Sequence, residues 1–466
     1  MELNLIKSIS VSKLFGIYDY SFDIDSETLN SDAVILYGDN GVGKSTILRL
    51  AFHLLSTSNN NGHRTALSQT NFEKLEVKLS SGFILTAEKG TQKKENLMVL
   101  DILKETKVVA RWNYYPHQNG MTKMVIDDEI IYLNEEGYDN NLIIHSGKKS
   151  SKDPLRNVTG RRIYLTEHKK IVPITFILNA DRKLDGDTIS DPDDEVEVRQ
   201  AMRMGNSYKK IQDLVIRSRE IALSQALSAA TKWIAKKAVQ GTNQGSDNVH
   251  STYVRILRQL VSRTGNNSID IPESEIDTLK GKLNHIGKET LDLAKYELSS
   301  FLDMSELDSI LTSTNESQKA LSAELLTPYI ESLDGRLDAV RDIYKILNKF
   351  MTTVNELLTD KEIKFKLSQG FSIKNKSGET LLPVQLSSGE QQLLLLFCYV
   401  LVARDSSSVF MIDEPEISLN IKWQRILVQS LLDITKGANI QFIFASHSLE
   451  IISQHRSSVI ILEHKK

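Results

Sequence analysis

The apolar positions change their period along the chain, and each change predicts a different kind of element. In the first 55 residues short apolar runs alternate with polar turns. Lys7–Leu14 and Tyr20–Ile24 predict strands, Ala33–Tyr37 (AVILY) predicts a strand of the buried parallel type, and a helix follows it. From 72 to about 180 the runs EVKL, GFILTAEK, KVVARW, MVIDDEIIYL and ITFILNA predict a β-rich lobe. From about 200 to 360 the period becomes helical. Ser274 followed by Asp277 predicts a helix start of the capping-box type, with Ile276, Leu279, Leu283 and Ile286 on its apolar face. Ile330, Leu333, Leu337, Val340, Tyr344, Leu347, Met351, Val354 and Leu358 then alternate spacings of three and four. Such a seam is of coiled-coil type and needs an apolar partner, either the earlier helices folded back as an antiparallel bundle or another subunit. Strands resume near 362 with EIKFKL, GFSIK and TLLPV, followed by a helix, the run VFMID, another helix and the run IQFIFAS.

The 466 residues carry 57 Lys+Arg against 60 Asp+Glu, so any attraction to nucleic acid or an acidic membrane has to be local. One stretch qualifies: His145 to Lys183 is strongly basic, and a carboxylate run from Asp185 to Glu197 follows it. Lys148, Lys149, Arg161 and Arg162 are candidate contacts to DNA phosphates; a solvated charged face is the alternative. The acidic run is expected to be a loop. The single cysteine, Cys398, excludes an intramolecular disulfide framework, a zinc ribbon and a cysteine hook. The opening residues lack the apolar core of a signal peptide, and the longest apolar run, Leu393–Ala403, is too short to span a bilayer. A soluble, cytoplasmic protein is the expectation.

Gly38, Asp39, Asn40, Gly41, Val42, Gly43, Lys44, Ser45 and Thr46 match GxxxxGK[ST] between an apolar strand and an amphipathic helix. Glycines at these positions let successive backbone N–H groups turn inward around phosphates, and the helix N-terminus adds its positive dipole end. Lys44 is placed to reach the β- and γ-phosphates, and the Ser45 hydroxyl to ligate Mg²⁺. Near the other end, VFMID is an apolar strand finishing in Asp413 and Glu414. There Asp413 suits a metal ligand and Glu414 a base for the attacking water. Ser387, Ser388, Gly389, Glu390 and Gln391 open an apolar helix and offer a second anion site, with a plain helix cap as the other reading. His447 follows the last buried strand, where a γ-phosphate sensor can sit.

Taken in this order, the phosphate loop, LSSGEQQ, the acidic strand end and the strand-plus-histidine resemble the ATP-binding-cassette ATPases, in their soluble SMC/RecF/OLD-like branch rather than the transporters. By that resemblance Gly38–Thr46 is Walker A, Ser387–Gln391 the signature, Asp413 and Glu414 Walker B with its catalytic carboxylate, Glu416–Asn420 the D-loop and His447 the switch histidine. The resemblance implies an α/β ABC-ATPase head, a P-loop NTPase of mixed sheet and β-rich lobe, carrying an inserted α-helical bundle or short coiled-coil domain. Residues 1–184 and 362–466 are then the two halves of the head and 185–361 the insertion. ATP and Mg²⁺ are the implied cofactors and ATP hydrolysis the implied reaction. Two heads would sandwich two ATP, with Ser387 acting in trans, as a homodimer or higher oligomer. Three features depart from the pattern. No Gln-loop glutamine is evident, and Asn179-Ala-Asp181-Arg182 stands in that place; the insertion is far shorter than SMC arms; and no nuclease domain follows His447, so nuclease activity is not expected in this chain.

The compact head, the spelling EPEISLN and the short insertion further resemble the PtuA-type ATPase subunits of Septu anti-phage systems. That resemblance implies a separate HNH endonuclease partner (PtuB-like) whose DNA cleavage the ATPase regulates. A RecF/SMC-like repair ATPase, a retron-linked defence ATPase and a non-hydrolysing ATP-bound scaffold are the alternatives. A transporter subunit is disfavoured by the long gap between Lys44 and the signature.

Overall fold

Predominantly apolar strands must be covered on both faces, and here three of them, Ser408–Asp413, Ile440–Ala445 and Ala33–Tyr37, sit side by side. The computed structural model describes residues 5–24, 32–58, 62–90, 98–114, 122–126, 129–133, 145–146, 154–180, 184–186, 220–241, 273–302, 305, 308, 316–417 and 419–462. Within them, a six-stranded sheet runs in the order Leu184–Gly186, Ile174–Leu178, Ser408–Asp413, Ile440–Ala445, Ala33–Tyr37 and Val459–Ile461. Its strands are parallel except the first, which is antiparallel to its neighbour. Every residue of Ser408–Asp413 and Ile440–Ala445 is buried, as parallel strands in an α/β layer require. The helix Lys44–Leu55 lies against this sheet and buries Ile47, Leu48, Leu50, Ala51, Phe52, Leu54 and Leu55.

A second, antiparallel six-stranded sheet runs Tyr18–Asp23, Ile6–Leu14, Lys74–Leu79, Phe83–Lys89, Met98–Lys104, Lys107–Tyr114. Alternate residues of Lys74–Leu79 point inward, the period of a half-buried strand. One buried polar side chain ties the two sheets together. Gln441, inside an otherwise apolar strand, donates through Nε2 to the Ile6 carbonyl and accepts the Ile6 N–H, both at 3.0 Å. The strand Met98–Lys104 was not among the expected elements. The run MVIDDEIIYL also differs from its expected single strand: Thr122–Ile126 pairs antiparallel with Glu129–Leu133, Ile126 opposite Glu129.

The basic stretch holds an unexpected helix, Pro154–Ile171. Tyr164, His168 and Ile171, one helical face, are buried, and the Tyr164 ring packs on Trp112 with centroids 5.9 Å apart. His168 stacks on Tyr164 and hydrogen-bonds the Leu54 carbonyl through Nε2 at 2.8 Å. Beside it, His53 and His63 share a hydrogen bond between their Nδ1 atoms at 2.9 Å, and Arg64 is 2% exposed. Burial, reinforced by the nearby Arg64 guanidinium, pushes His168 down to about 3. Burial likewise pushes His63 to about 3 and His53 to about 4, with neighbouring positive charge acting in the same direction.

All these elements belong to one compact unit, residues 1–222 with 391–466; a second unit comprises 223–390. The boundaries expected from sequence, 184/185 and 361/362, differ from these divisions. The second unit contains helices 220–241, Glu273–Ala294 and Glu316–Leu357 and a three-stranded sheet, Lys361–Lys366, Gly370–Asn375 and Thr380–Leu381. These strands cluster with the helices because Asn355 pairs both backbone groups of Ile363, and Phe371 packs on Phe350 at 5.6 Å. Ser274 lies inside its helix rather than ahead of it. Along the long helix the buried stripe includes Ile330, Leu333, Leu337, Val340, Leu347, Met351 and Val354, and adds Ile343, Phe350 and Leu357, while Tyr344 and Leu358 are only half-buried. A straight helix drifts about 20° per heptad against a 3.5-residue repeat, so a globular contact recruits a wider face than a coiled-coil seam. The helix Glu273–Ala294 packs against it. Gly241 also approaches: a β-carbon there would lie 2.4 Å from the Ala339 carbonyl oxygen.

Candidate active site

The site is built where neighbouring parallel strands end. Ala33–Tyr37 delivers the phosphate loop, Ser408–Asp413 delivers two carboxylates, and Ile440–Ala445 delivers Ser446 and His447. Strand C-termini of an open α/β sheet are where such folds present ligand groups. Gly41 and Gly43 have φ of +86° and +96°, which an L side chain resists. At Gly43 there is no room either, since a β-carbon would meet the fully buried Leu14 Cδ2 at 2.7 Å. Gly43→Ala is therefore expected to lower stability by about 2 kcal/mol, the sum of left-handed strain and overpacking, with a chemical-denaturation midpoint as the measurement. The loop is tied to the antiparallel sheet by the Tyr20 hydroxyl, which donates to the Val42 carbonyl at 3.0 Å.

Lys44 is buried, and its ammonium donates to the Gly38 and Asp39 carbonyls at 2.8 and 3.0 Å. The next residue reaches across to the neighbouring strand end: Ser45 Oγ donates to Asp413 Oδ1 at 2.7 Å, across 368 positions of sequence. Asp413 is 1% exposed; its Oδ2 lacks a hydrogen bond and faces the Arg49 guanidinium at 3.5 Å. Burial raises the Asp413 carboxyl above the usual carboxylate range, offset in part by the Ser45 hydroxyl and Arg49. A half-buried hydroxyl and a buried, under-coordinated carboxylate are hard oxygen donors, the set that Mg²⁺ takes, so these residues fit the metal.

Glu414 has a φ of +48°, left-handed for a non-glycine residue, and its N–H donates to the Ala445 carbonyl at 2.8 Å. His447, 48% exposed, has Nδ1 3.3 Å from Glu416 Oε1. At the helix Ser388–Ala403, Ser387 and Ser388 are exposed. Glu390 is instead turned inward: it accepts the Ser387 N–H at 2.7 Å, as in a capping box, and both its oxygens meet Lys361 Nζ at 2.9 Å. Cys398 on that helix is fully buried, and burial pushes its thiol up. In the suggested Gln-loop place, Asn179 Nδ2 donates to Asp185 Oδ2 at 3.1 Å, while Asp181 and Arg182 lie outside the described residues. Lys148 and Lys149 lie outside them too. Arg161 is half-buried over the Trp112 ring at 5.5 Å, and Arg162 is exposed.

Three residues of the site were not singled out from sequence. Arg49 lies four residues after Ser45 on the same helix, a spacing that puts both on one face. Phe15 would touch a Gly43 β-carbon at 3.4 Å through Cε2, and 42% of it is exposed beside the loop. Glu416 was read only as part of the D-loop stretch, and nothing local in EPEISLN signals its partners on another strand.

Residues 255–453 match the family model described as "AAA domain, putative AbiEii toxin, Type IV TA system"; the match takes in the signature helix, Asp413, Glu414 and His447 but not the phosphate loop. Over those residues the chain is similar to an AAA-type domain. No curated protein sequence matches it. Solved structures similar to this ATPase-like chain include a Smc head domain with an extended coiled coil bound to the C-terminal domain of ScpA, derived from Pyrococcus furiosus (11% identity, covering 98% of this chain and 94% of that one, TM-score 0.34). A Smc head with a coiled coil and joint from Pyrococcus yayanosii is similar at 13% identity, covering 97% and 93%, with a TM-score of 0.34. With TM-scores this low, the α/β head is recognised from strand order and from the motifs at the strand ends. No described helix is long and apolar enough to cross a membrane.

Proposed function

We propose that this chain binds and hydrolyses ATP as a head that closes against a second copy, and that closure regulates a partner HNH nuclease in anti-phage defence. The observation that carries the ATPase reading is the Ser45–Asp413 contact: two residues 368 positions apart meet at 2.7 Å beside a glycine loop shaped for phosphates. In this reading the loop N–H groups and Lys44 hold the phosphates, phosphate oxygens taking over the two carbonyls that now accept from Lys44. Ser45 and Asp413 would hold Mg²⁺, which would supply neutralisation of phosphate charge when bound. Glu414 takes a proton from the attacking water, and His447 donates to the γ-phosphate. Phe15 offers an aromatic face for the base.

Ser387 and Ser388 are exposed at a helix N-terminus, where they suit the phosphates of another copy. Glu414→Gln mixed with ATP is expected to double its scattering mass, whereas Lys44→Ala stays at its starting mass. Unchanged mass with ATP bound would sink head closure. For the partner, co-purification of an HNH protein encoded beside this chain supports the defence reading. The matched family's toxin description favours a second reading, a toxin-type NTPase of a toxin–antitoxin pair. Growth arrest on expressing this chain alone would favour it.

A further inference from the structure

The loop after the carboxylate strand and the loop after its neighbour are joined by one side chain that the reading above does not use. Glu416 Oε1 accepts the His447 N–H at 2.9 Å and lies 3.3 Å from His447 Nδ1, while Oε2 accepts from the Ser446 hydroxyl at 2.9 Å. Ser446 is fully buried, and its Oγ in turn accepts the Ser448 N–H at 3.1 Å. The other side is held as firmly. Gln424 donates to the Leu419 carbonyl at 2.9 Å and accepts from the Ser448 hydroxyl at 2.8 Å, so the Glu416 loop and the His447 loop are cross-tied twice.

A carboxylate suits this place for a specific reason. It offers two acceptor oxygens, and here one takes a backbone and an imidazole contact while the other takes a hydroxyl; an amide has only one oxygen to give. With Nδ1 facing Glu416 at 3.3 Å, Nε2 is the ring nitrogen left to meet a ligand, and it donates to a phosphate when both ring nitrogens carry a proton. We propose that Glu416 is the positioning residue for His447: it fixes the backbone and ring plane of the histidine relative to the strand end carrying Asp413 and Glu414. The inference rests on the ATPase reading. It deepens it by assigning the residue through which the two strand-end loops are kept in register.

The test is a double-mutant cycle on Mg-ATP hydrolysis, with ATP affinity measured separately by a fluorescent analogue. Glu416→Gln is expected to lower kcat about 10- to 100-fold with KM for ATP within about twofold, because the histidine is misplaced while the phosphate loop is untouched. His447→Ala should lose a similar factor. The double variant should lose no more than His447→Ala alone, since a residue acting only through His447 has nothing left to act on. Losses that multiply, or a Glu416→Gln enzyme with wild-type kcat, overturn the proposal. Should Glu416→Gln fail to fold, Ser446→Ala removes one donor and leaves the carboxylate; its kcat loss must likewise vanish in the His447→Ala background, and a loss that persists there overturns the proposal. A wild-type chain that binds ATP yet releases no phosphate fails one step earlier and takes the hydrolysis reading down with the inference.

Discussion

Glu414→Gln is expected to bind ATP as tightly as the wild type and to release phosphate about 10³-fold more slowly, the middle of the range for loss of a general base. The backbone explains why this variant isolates the chemistry. Glu414 is held at a φ of +48° by its N–H bond to Ala445, a conformation costing on the order of 1–3 kcal/mol that surrounding structure must enforce. Glutamine has the same size and the same backbone demands, so the strand end keeps its shape and only the proton acceptor is lost. Lys44→Ala should fail in the opposite order. Its ammonium sits inside the loop on two carbonyls, and removing it deletes a positive charge that the bound phosphates need, so nucleotide binding disappears before turnover can be scored. Phosphate release together with equilibrium binding separates the two outcomes; wild-type turnover in Glu414→Gln would remove the base assignment.

The second large effect is on stability. His53, His63 and His168 have folded-state values of about 4, 3 and 3, all below their ordinary value of 6.5. A group depressed in the folded state stabilises fully above its unfolded value, and the contribution is lost as pH falls toward the folded one. The loss therefore begins near pH 6.5 and deepens toward pH 4. Each histidine adds up to about 1.4 kcal/mol per pH unit in that window, so between about pH 7.5 and 5.5 the cluster removes roughly 3–4 kcal/mol. Urea midpoints at the two pH values measure it. Replacing His168 with glutamine should flatten the pH dependence by about a third, and an unchanged slope would show that these rings do not hold the proton deficit.

What was legible in the sequence was what is local. Gly41, Gly43 and Lys44 shape their own loop, and AVILY, VFMID and IQFIFA are apolar but for Asp413 and Gln441 because both faces of their sheet are covered. Ser45 and Asp413 were each expected at a metal from their own motifs, and their meeting at 2.7 Å is what the fold adds. The helix Pro154–Ile171 was hidden because its buried face is written with Tyr164, His168 and a half-buried Arg161, polar names that give no apolar period. The Asp153-Pro154 pair, a helix-start signal, was the available clue. Glu416 and Arg49 escaped for another reason: their roles are fixed by partners on separate strands, and tertiary pairing leaves no trace in spacing.

The capping contact at Ser387 also has a mechanical meaning. Glu390, which accepts the Ser387 N–H, is held by Lys361 at the start of a strand whose Ile363 is clamped by Asn355, near the end of the 42-residue helix Glu316–Leu357. Ser387 is thus a passenger on a lever arm. The path from the helix to the serine runs through two Asn355–Ile363 hydrogen bonds, the Lys361–Glu390 ion pair and the Ser387–Glu390 hydrogen bond. By reciprocity, any ligand that pins Ser387 must stiffen the arm by the same free energy. A partner that grips the long helix is therefore linked to whatever pins Ser387, without touching the serine itself.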